Sequence, residues 1–279
     1  MPIHIKTWLY LILLSAVAMY LGSALAGRQG LLLAFVISFT INLVSYFYSD
    51  RLILWTYGAQ LIEGIDPYGL QNTVTKLCEK IGIPKPKVYI IKSDTPNAFA
   101  VGRSPLKASV AATEGILTLL SREEIEGVLA HELSHINHKD TLIMMVAATL
   151  GSFVMYLANS FKWVVIFGKE NKNQDKNMVG QLFLAFFSPI AAFIIHLAVS
   201  RNREFIADQE AAEMTQNPHA LASALWKLHN YSFAKPLSVT QATAHMFIVN
   251  PLSLGGLNGL FSTHPPVEER IKKLIGRTL

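Results

Sequence analysis

His131, Glu132 and His135 form a His-Glu-x-x-His pattern, a spacing that suits metal chemistry. On an α-helix, side chains four residues apart project from the same face, so the two imidazoles can hold a single ion. Glu132 is rotated from His131 by about 100° and lies beside the histidine pair. A zinc ion lowers the pKa of its bound water to about 7, and the carboxylate takes the proton as the water attacks a peptide carbonyl. The pattern therefore predicts metal-assisted hydrolysis.

A catalytic zinc ion needs a third protein ligand and an open fourth position. Metzincins take the third ligand from a histidine six residues after the second, with a glycine midway. Thr141 and His138 occupy those two places, which excludes this class. His138 as a fourth ligand would close the site, so we expect it not to bind the metal.

Glu204 is the best candidate for the third ligand, because it begins the first helix after the last hydrophobic stretch. Asp208 lies one turn further along that helix. Its carboxylate can accept a hydrogen bond from the second nitrogen of a ligand imidazole, as is usual around metal-bound histidines. The alternative is that both acids belong to an exposed acidic helix face.

A small α+β unit must position these residues. Ser121 and Glu124 have the spacing of a capping box and predict the start of the motif helix, which continues into a charge-free stretch. Upstream, the patterns predict an amphipathic helix and three short strands, over 66–82, 87–93, 97–104 and 108–113. Downstream they predict three further helices, within 201–215, 217–231 and 264–276.

The composition predicts an integral membrane protein. Hydrophobic residues make up 51% of the chain and charged residues only 15%, with a mean hydropathy of +0.34. Four stretches lack Asp, Glu, Lys and Arg and are long enough to cross a bilayer, namely Thr7–Gly27, Gln29–Ser49, Thr141–Phe161 and Met178–Ser200. We therefore expect about four transmembrane helices. The alternative is that some of them, the last two above all, are core helices of a soluble protein.

Four crossings place the two polar segments on one side of the membrane. The predicted organisation is two transmembrane helices (1–49), the first part of the catalytic unit with the motif helix (50–140), two more transmembrane helices with a short loop (141–200), and the second part with the third ligand (201–279). Basic residues flank both sides of the spans, for example Lys139 and Arg203 on one side and Arg28 on the other, and leave the topology open. The single Cys78 suits a reducing compartment. The basic residues form no face for nucleic acid.

Three segments, HELSHINHKD, NREFIADQEA and FSTHPPVEERI, occur in this order among the hydrophobic stretches. Together they resemble the HtpX family of membrane-bound zinc metalloproteases, which are related to the CAAX prenyl proteases. The resemblance covers nearly the whole chain, including TPNAFAVG and MFIVNPL. It implies a mainly α-helical α+β fold with a small β-sheet and a gluzincin-type metalloprotease domain.

The resemblance also implies residue roles and a cellular place. One Zn²⁺ per chain is held by His131, His135 and Glu204, with Glu132 as the base. A histidine at the position of His264 helps to stabilise the tetrahedral intermediate. The family consists of multi-pass endopeptidases of the inner (plasma) membrane with the active site on the cytoplasmic side. They degrade damaged or misfolded membrane proteins, so the expected partners are the bilayer and membrane-protein or unfolded polypeptide substrates.

The segment NAFAVG predicts an exposed strand that could pair with an extended substrate, with Asn97, Ala98 and Phe99 in contact with it. The alternative for Asn97 is an ordinary turn residue at a strand start. Two other functions stay open at this point. One is a non-enzymatic transporter or scaffold, which predicts no bound zinc. The other is an enzyme for prenylated peptides, which would need a lipid-sized chamber.

Overall fold

The computed structural model describes residues 3–150, 201–234, 246–249 and 264–276. Their fold is mostly helical with one small mixed sheet. The helices are α1 (Ile3–Thr56), α2 (Leu70–Ile81), α3 (Glu114–Leu119), α4 (Arg122–Asn137), α5 (Asp140–Leu150), α6 (Arg201–Thr215), α7 (Pro218–Ala234) and α8 (Val267–Ile275). The strands are β1 (Gln60–Leu61), β2 (Lys87–Ile91), β3 (Ala98–Gly102) and β4 (Ala108–Thr113).

Helix α1 is a hairpin of two antiparallel limbs. The chain reverses at Gly27, whose φ of 56° lies in the left-handed region that glycine adopts without strain. Asn42 Nδ2 donates to Ser15 Oγ at 2.8 Å, and the rings of Trp8 and Tyr46 stack with centroids 5.3 Å apart. The limbs coincide with the first two predicted spans.

By length and composition, one helix among the described residues can cross a membrane, Gly27–Thr56. The third predicted span is described only as far as α5, a shorter apolar helix. The remainder of that span and the fourth, Met178–Ser200, lie outside the described residues. The count of four transmembrane helices and the domain boundaries therefore remain predictions.

The sheet has the strand order β1-β2-β4-β3, in which only β2 and β4 are parallel. Strand β3 pairs antiparallel with β4 and forms one edge. The N–H of Thr113 donates to the carbonyl of Asn97. In an antiparallel pair, residues alternate in facing the partner. Ala98, Ala100 and Gly102 therefore direct their backbone groups to the open edge.

Strand β3 was expected to be exposed, but all five of its residues are buried. One side of the sheet packs on the end of α1, where Ile53 and Leu54 join Phe99 and Val101 in a cluster that also includes Met145 of α5. At the edge away from β4, no further strand of the described residues pairs with β3, although α5 binds the backbone N–H and carbonyl of Gly102. A strand that is buried on both faces has no alternation of polar and apolar residues, so its sequence does not show which face is buried.

Helix α4 begins as predicted, because Ser121 and Glu124 form both hydrogen bonds of a capping box. Glu124 also accepts hydrogen bonds from Ser223 and Lys227 of α7. Gly127 permits a close approach of α4 and α7, since a Cβ there would lie 3.2 Å from Leu221. The motif helix is thus held rigidly in the main core.

The motif helix does not run continuously into the charge-free stretch, as the sequence led us to expect. Helix α4 ends at Asn137 and α5 begins at Asp140. Lys139 between them has a φ of 62°, which is uncommon for a residue other than glycine. This break turns the carboxylate of Asp140 back towards His135, at 3.3 Å.

Candidate metal centre and active site

The three predicted metal ligands meet in the structure. His131 and His135 project from one face of α4, with their Nε2 atoms 3.2 Å apart. Glu204 of α6 lies 3.4 Å from His135 and 3.7 Å from His131. One donor atom of each residue lies within 4.8 Å of the other two, and all three residues are buried.

These residues fit a cation. Glu204 is fully buried, and its Oε1 atom has no hydrogen-bond partner among the described residues. A buried carboxylate oxygen without a partner is costly unless an ion or proton satisfies it. Two imidazoles with one carboxylate form a donor set typical of catalytic zinc sites. The site therefore suits a zinc-like ion by its chemistry.

Asp208, which was expected beside a ligand imidazole, lies behind His131. Its Oδ1 atom is 3.0 Å from Nδ1 of His131, at ion-pair distance although not aligned as a hydrogen bond. Arg270 of α8 donates to both carboxylate oxygens, at 2.7 and 2.6 Å. Burial alone would raise the pKa of Asp208, but Arg270 outweighs it and lowers the pKa to about 2. Asp208 is therefore ionised beside the ligand.

Asp140 has the corresponding position behind His135. Its Oδ2 atom lies 3.3 Å from Nδ1 of His135, and its other oxygen accepts hydrogen bonds from Arg203. Arg203 also donates to the carbonyl of His138 at 3.2 Å. Each predicted histidine ligand thus faces a carboxylate that an arginine holds in place.

Sequence reasoning missed three of these four supporting residues. Arg203 was counted among the membrane-flanking charges, and Asp140 and Arg270 received no role. A sequence pattern could not show these pairs, because each arginine is 62 or 63 residues away in the chain from the carboxylate that it binds. A charged residue next to an apolar stretch, as Asp140 is, was the one available hint.

Glu132 lies beside the predicted ligands, as the helix period requires. It is 7% exposed and accepts a backbone hydrogen bond from Ala100 of β3. Burial is the main reason that the pKa of Glu132 is raised to about 7, against the opposing charge of His135. A carboxyl group with this pKa can take up and release a proton near neutral pH.

His264 precedes α8 and reaches the same site. Its Nδ1 atom lies 2.7 Å from Oε2 of Glu204, and the residue is buried. Although burial opposes ionisation, the neighbouring imidazoles of His264 and His135 hold the pKa of Glu204 well below its usual value. His264 is thus placed beside the predicted metal ligands, where its role in the reaction remains a prediction.

His135 illustrates the strong negative field of the site. Burial lowers its pKa, but the nearby carboxylates of Asp140 and Glu204 raise it more, to about 10. For His131 the balance is reversed, and burial lowers the pKa despite Asp208. A positive charge near His135 is therefore favoured, and a bound cation would supply one.

His138 is bound elsewhere. Its Nε2 atom lies 2.7 Å from Glu210, which also accepts a hydrogen bond from Ser134. The histidine that would close the metal site has a separate carboxylate partner. The expected exclusion of His138 from the ligand set stays a prediction.

A cavity opens over Glu132 and the two motif histidines. Apolar residues from three segments form its walls, including Phe99, Met144 and Phe247. Of the predicted substrate residues, Phe99 lines this cavity, and Ala98 is buried at the strand edge. Asn97 is 2% exposed, and its Oδ1 atom has no hydrogen-bond partner among the described residues.

Comparison with known sequences identifies the class of protein. The sequence model of Peptidase family M48 matches residues 68–278. The chain belongs to peptidase family M48. A Protease HtpX homolog of Syntrophotalea carbinolica is 45% identical over 279 residues, which cover 99% of each chain. A Protease HtpX homolog of Pyrococcus abyssi is 45% identical over 272 residues, or 97% of this chain and 94% of the relative.

The M48 chain also has a relative among solved structures. The crystal structure of S. mikatae Ste24p superimposes with a TM-score of 0.51 over 97% of this chain and 67% of the other. At 19% identity, this likeness shows the fold alone. The comparisons confirm the resemblance to HtpX proteases. The chain is a membrane-associated metallopeptidase, and the alternative of a non-enzymatic scaffold is set aside.

Proposed function

We propose that this M48 peptidase is a zinc-dependent endopeptidase whose metal is held by His131, His135 and Glu204. The observation that carries the proposal is the meeting of their donor atoms within 4.8 Å, inside a buried site next to Glu132. Two imidazoles and one carboxylate leave a fourth position for water or substrate. When bound, zinc would polarise a carbonyl and make water acidic enough to attack near neutral pH.

Glu132 is the proposed general base. Its carboxylate would accept a proton from the attacking water and later pass it to the leaving amine. The backbone N–H of Ala100 orients the carboxylate towards the cavity. His264 faces the same cavity and would donate a hydrogen bond to the oxyanion that develops on the substrate carbonyl.

The open edge of β3 is the proposed binding site for an extended substrate. Ala98 directs its backbone groups to this edge, while Ala100 contacts Glu132 and Gly102 contacts α5 through Thr141 and Met145. An extended peptide that pairs with Ala98 would pass over Phe99 and the cavity. Asn97, at the far end, would accept a hydrogen bond from the peptide backbone.

The proposed substrates are membrane proteins and unfolded polypeptides, cut on the cytoplasmic side of the inner membrane by a multi-pass enzyme. Helix α5 supports this proposal, because it starts at the active site and packs against the apolar hairpin. Leu142 and Val146 of α5 share a cluster with Leu11 and Tyr46 of α1. A polypeptide that leaves the bilayer beside α5 would therefore lie close to the catalytic cavity.

The testing experiment measures cleavage of an unfolded reporter protein by the detergent-purified full chain. We expect wild type to cut, a zinc chelator to stop cutting, and added zinc to restore it. Glu132→Gln should abolish cleavage while it retains one zinc per chain by elemental analysis. Glu126→Gln, on the same helix, is the matched control and should cut normally. Cleavage by Glu132→Gln, or wild-type activity with the chelator present, would overturn the mechanism.

A further inference from the structure

Strand β3 runs alongside α1 towards the apolar part of that helix. The ring of Phe99 lies 5.2 Å from that of Tyr57, and the Cζ atom of Arg103 lies 5.2 Å from the ring centroid of Phe47. Four residues of extended chain, from Phe99 to Arg103, span about 13 Å, and the ten residues from Tyr57 back to Phe47 span about 15 Å along a helix. Strand β3 therefore runs beside α1 in the opposite chain direction.

The Gly102 end of β3 lies beside the residues at which the apolar run of α1 ends. The charge-free run Gln29–Ser49 is followed directly by Asp50 and Arg51, and it ends in three aromatic residues, Tyr46, Phe47 and Tyr48, close to this border. Aromatic residues are enriched at the membrane–water interface. Gly102 lies near Ser49, the last residue of this run, since Met145 Sδ accepts hydrogen bonds from Gly102 N–H at 3.1 Å and from Ser49 Oγ at 3.9 Å.

The turn that follows β3, residues 103–107, has a fixed shape. Gly102 has a φ of 141°, and a Cβ there would lie 2.4 Å from the carbonyl oxygen of Lys107. The N–H of Lys107 donates to the carbonyl of Ser104 at 2.9 Å. At the tip, Leu106 is 81% exposed, and the cations Arg103 and Lys107 stand on either side. We call this segment the interfacial turn.

A second exposed apolar residue lies at the same end of the sheet. Ile62 donates its N–H to the carbonyl of Val88, next to Lys87 at the lower end of β2. The chain then leaves the sheet, and Ile65 is 91% exposed. Ile65 and Leu106 are the two most exposed large hydrophobic side chains among the described residues.

We propose that the interfacial turn rests on the bilayer surface. Leu106 enters the boundary between headgroups and acyl chains, and Arg103 and Lys107 bind the phosphates of anionic lipids. Insertion of the exposed leucine into this boundary is favourable, because it removes apolar surface from water. Basic residues at a membrane surface are attracted by anionic headgroups. The apolar run of α1 continues directly into this contact, which commits the surface to lipid.

This lipid contact is independent of the catalytic site, because none of the predicted metal ligands takes part in it. It also has a consequence that rests on the proposed function. Strand β3 would rise from the membrane surface near Gly102 towards Asn97. Because α5 occupies the backbone groups of Gly102, a segment drawn from the bilayer would pass α5 before it pairs with Ala98.

The test is a fluorescence measurement on the full chain in vesicles. Leu106→Cys carries a polarity-sensitive fluorophore, and Lys92→Cys, exposed at the opposite end of the sheet, is the matched control. Native Cys78 is buried with its pKa raised to about 11, mainly by burial, so labelling of wild type gives the background. Vesicles contain anionic or neutral lipids with a quencher near the top of the acyl chain, at one protein copy per vesicle.

We expect the label at Leu106 to be blue-shifted and quenched several-fold more strongly than the label at Lys92. The difference should decrease in neutral vesicles and when Lys107→Gln is added. Equal emission and quenching at both sites would overturn the proposal. So would shielding of Leu106 that appears only at several copies per vesicle, since that would mean a contact with a second chain. None of these readings requires cleavage, so the outcome is separate from that of the proposed function.

Discussion

The guanidinium of Arg270 binds both carboxylate oxygens of Asp208, and both side chains are buried from solvent. Arg270 also donates to the backbone carbonyl of Ile248 and lies 3.7 Å from Glu204. Helix α8 thereby reaches α6 and the wall of the cavity through a single side chain. Asp208 in turn lies 3.0 Å from His131. Arg270 is therefore a positioning residue for the candidate metal site.

Replacement of Arg270 by Met should destabilise the protein by about 3–5 kcal/mol, because it leaves the carboxylate of Asp208 buried without its partner. Thermal unfolding of the detergent-purified chain measures this change. The double variant Arg270→Met with Asp208→Leu should recover most of the stability, since no buried charge then remains. It should not recover zinc affinity, because His131 has lost its carboxylate. A single variant as stable as wild type would contradict the role of the pair.

Asp140→Asn should weaken zinc binding about 10–100-fold while the fold is retained, because carboxylates behind ligand histidines have effects of this size. Competition with a chromogenic chelator measures the affinity directly. Glu210→Gln is the matched control, because Glu210 contacts Ser134 and His138 on the same helix but none of the predicted ligands. Equal affinities for the two variants would show that Asp140 does not support His135.

Glu132→Gln should stabilise the chelator-stripped protein at high pH. Burial raises the pKa of Glu132 from 4.5 to about 7, so the folded state holds this proton more tightly than the unfolded chain. Stability is therefore lost as the pH rises from 4.5 to about 7. At pH 8 the variant should be more stable by roughly 3 kcal/mol, and the difference should vanish near pH 4. Glu126→Gln, on the same helix, is the matched variant in the same unfolding series.

Local patterns were sufficient for most of the described elements. The capping box of Ser121 and Glu124 and the strands around Pro105 lie where the sequence predicts them. The spacing of His131 and His135 is a local property of a helix. Glu204 and Asp208 could be proposed because they lie on the same helix, one turn apart.

Features that depend on tertiary packing were not predicted. The helix break at Lys139 has no Gly or Pro to mark it, and it is held by contacts with the strand β3 and with Arg203. The two arginines bind carboxylates from distant segments, and an arginine alone carries no signal of its partner. The burial of β3 follows from packing against α1, which lies far upstream in sequence.

Asn97 offers a test that separates a substrate contact from an ordinary turn residue. Its backbone pairs with Thr113, but its buried Oδ1 atom has no partner among the described residues. If this oxygen binds substrate, Asn97→Ala should lower kcat/KM by up to about tenfold, the value of one hydrogen bond. Its melting temperature should stay the same or rise, because an unsatisfied buried group is removed.

Thr113→Val is the matched control for this experiment. Its hydroxyl accepts hydrogen bonds from the backbone N–H groups of Asn97 and Ile116, so its loss leaves two buried donors unsatisfied. We expect a loss of about 1–3 kcal/mol for each donor that finds no new partner. If Asn97→Ala instead behaves like Thr113→Val, with lower stability and unchanged kcat/KM per folded molecule, Asn97 is a structural residue. The substrate edge of β3 would then begin at Ala98.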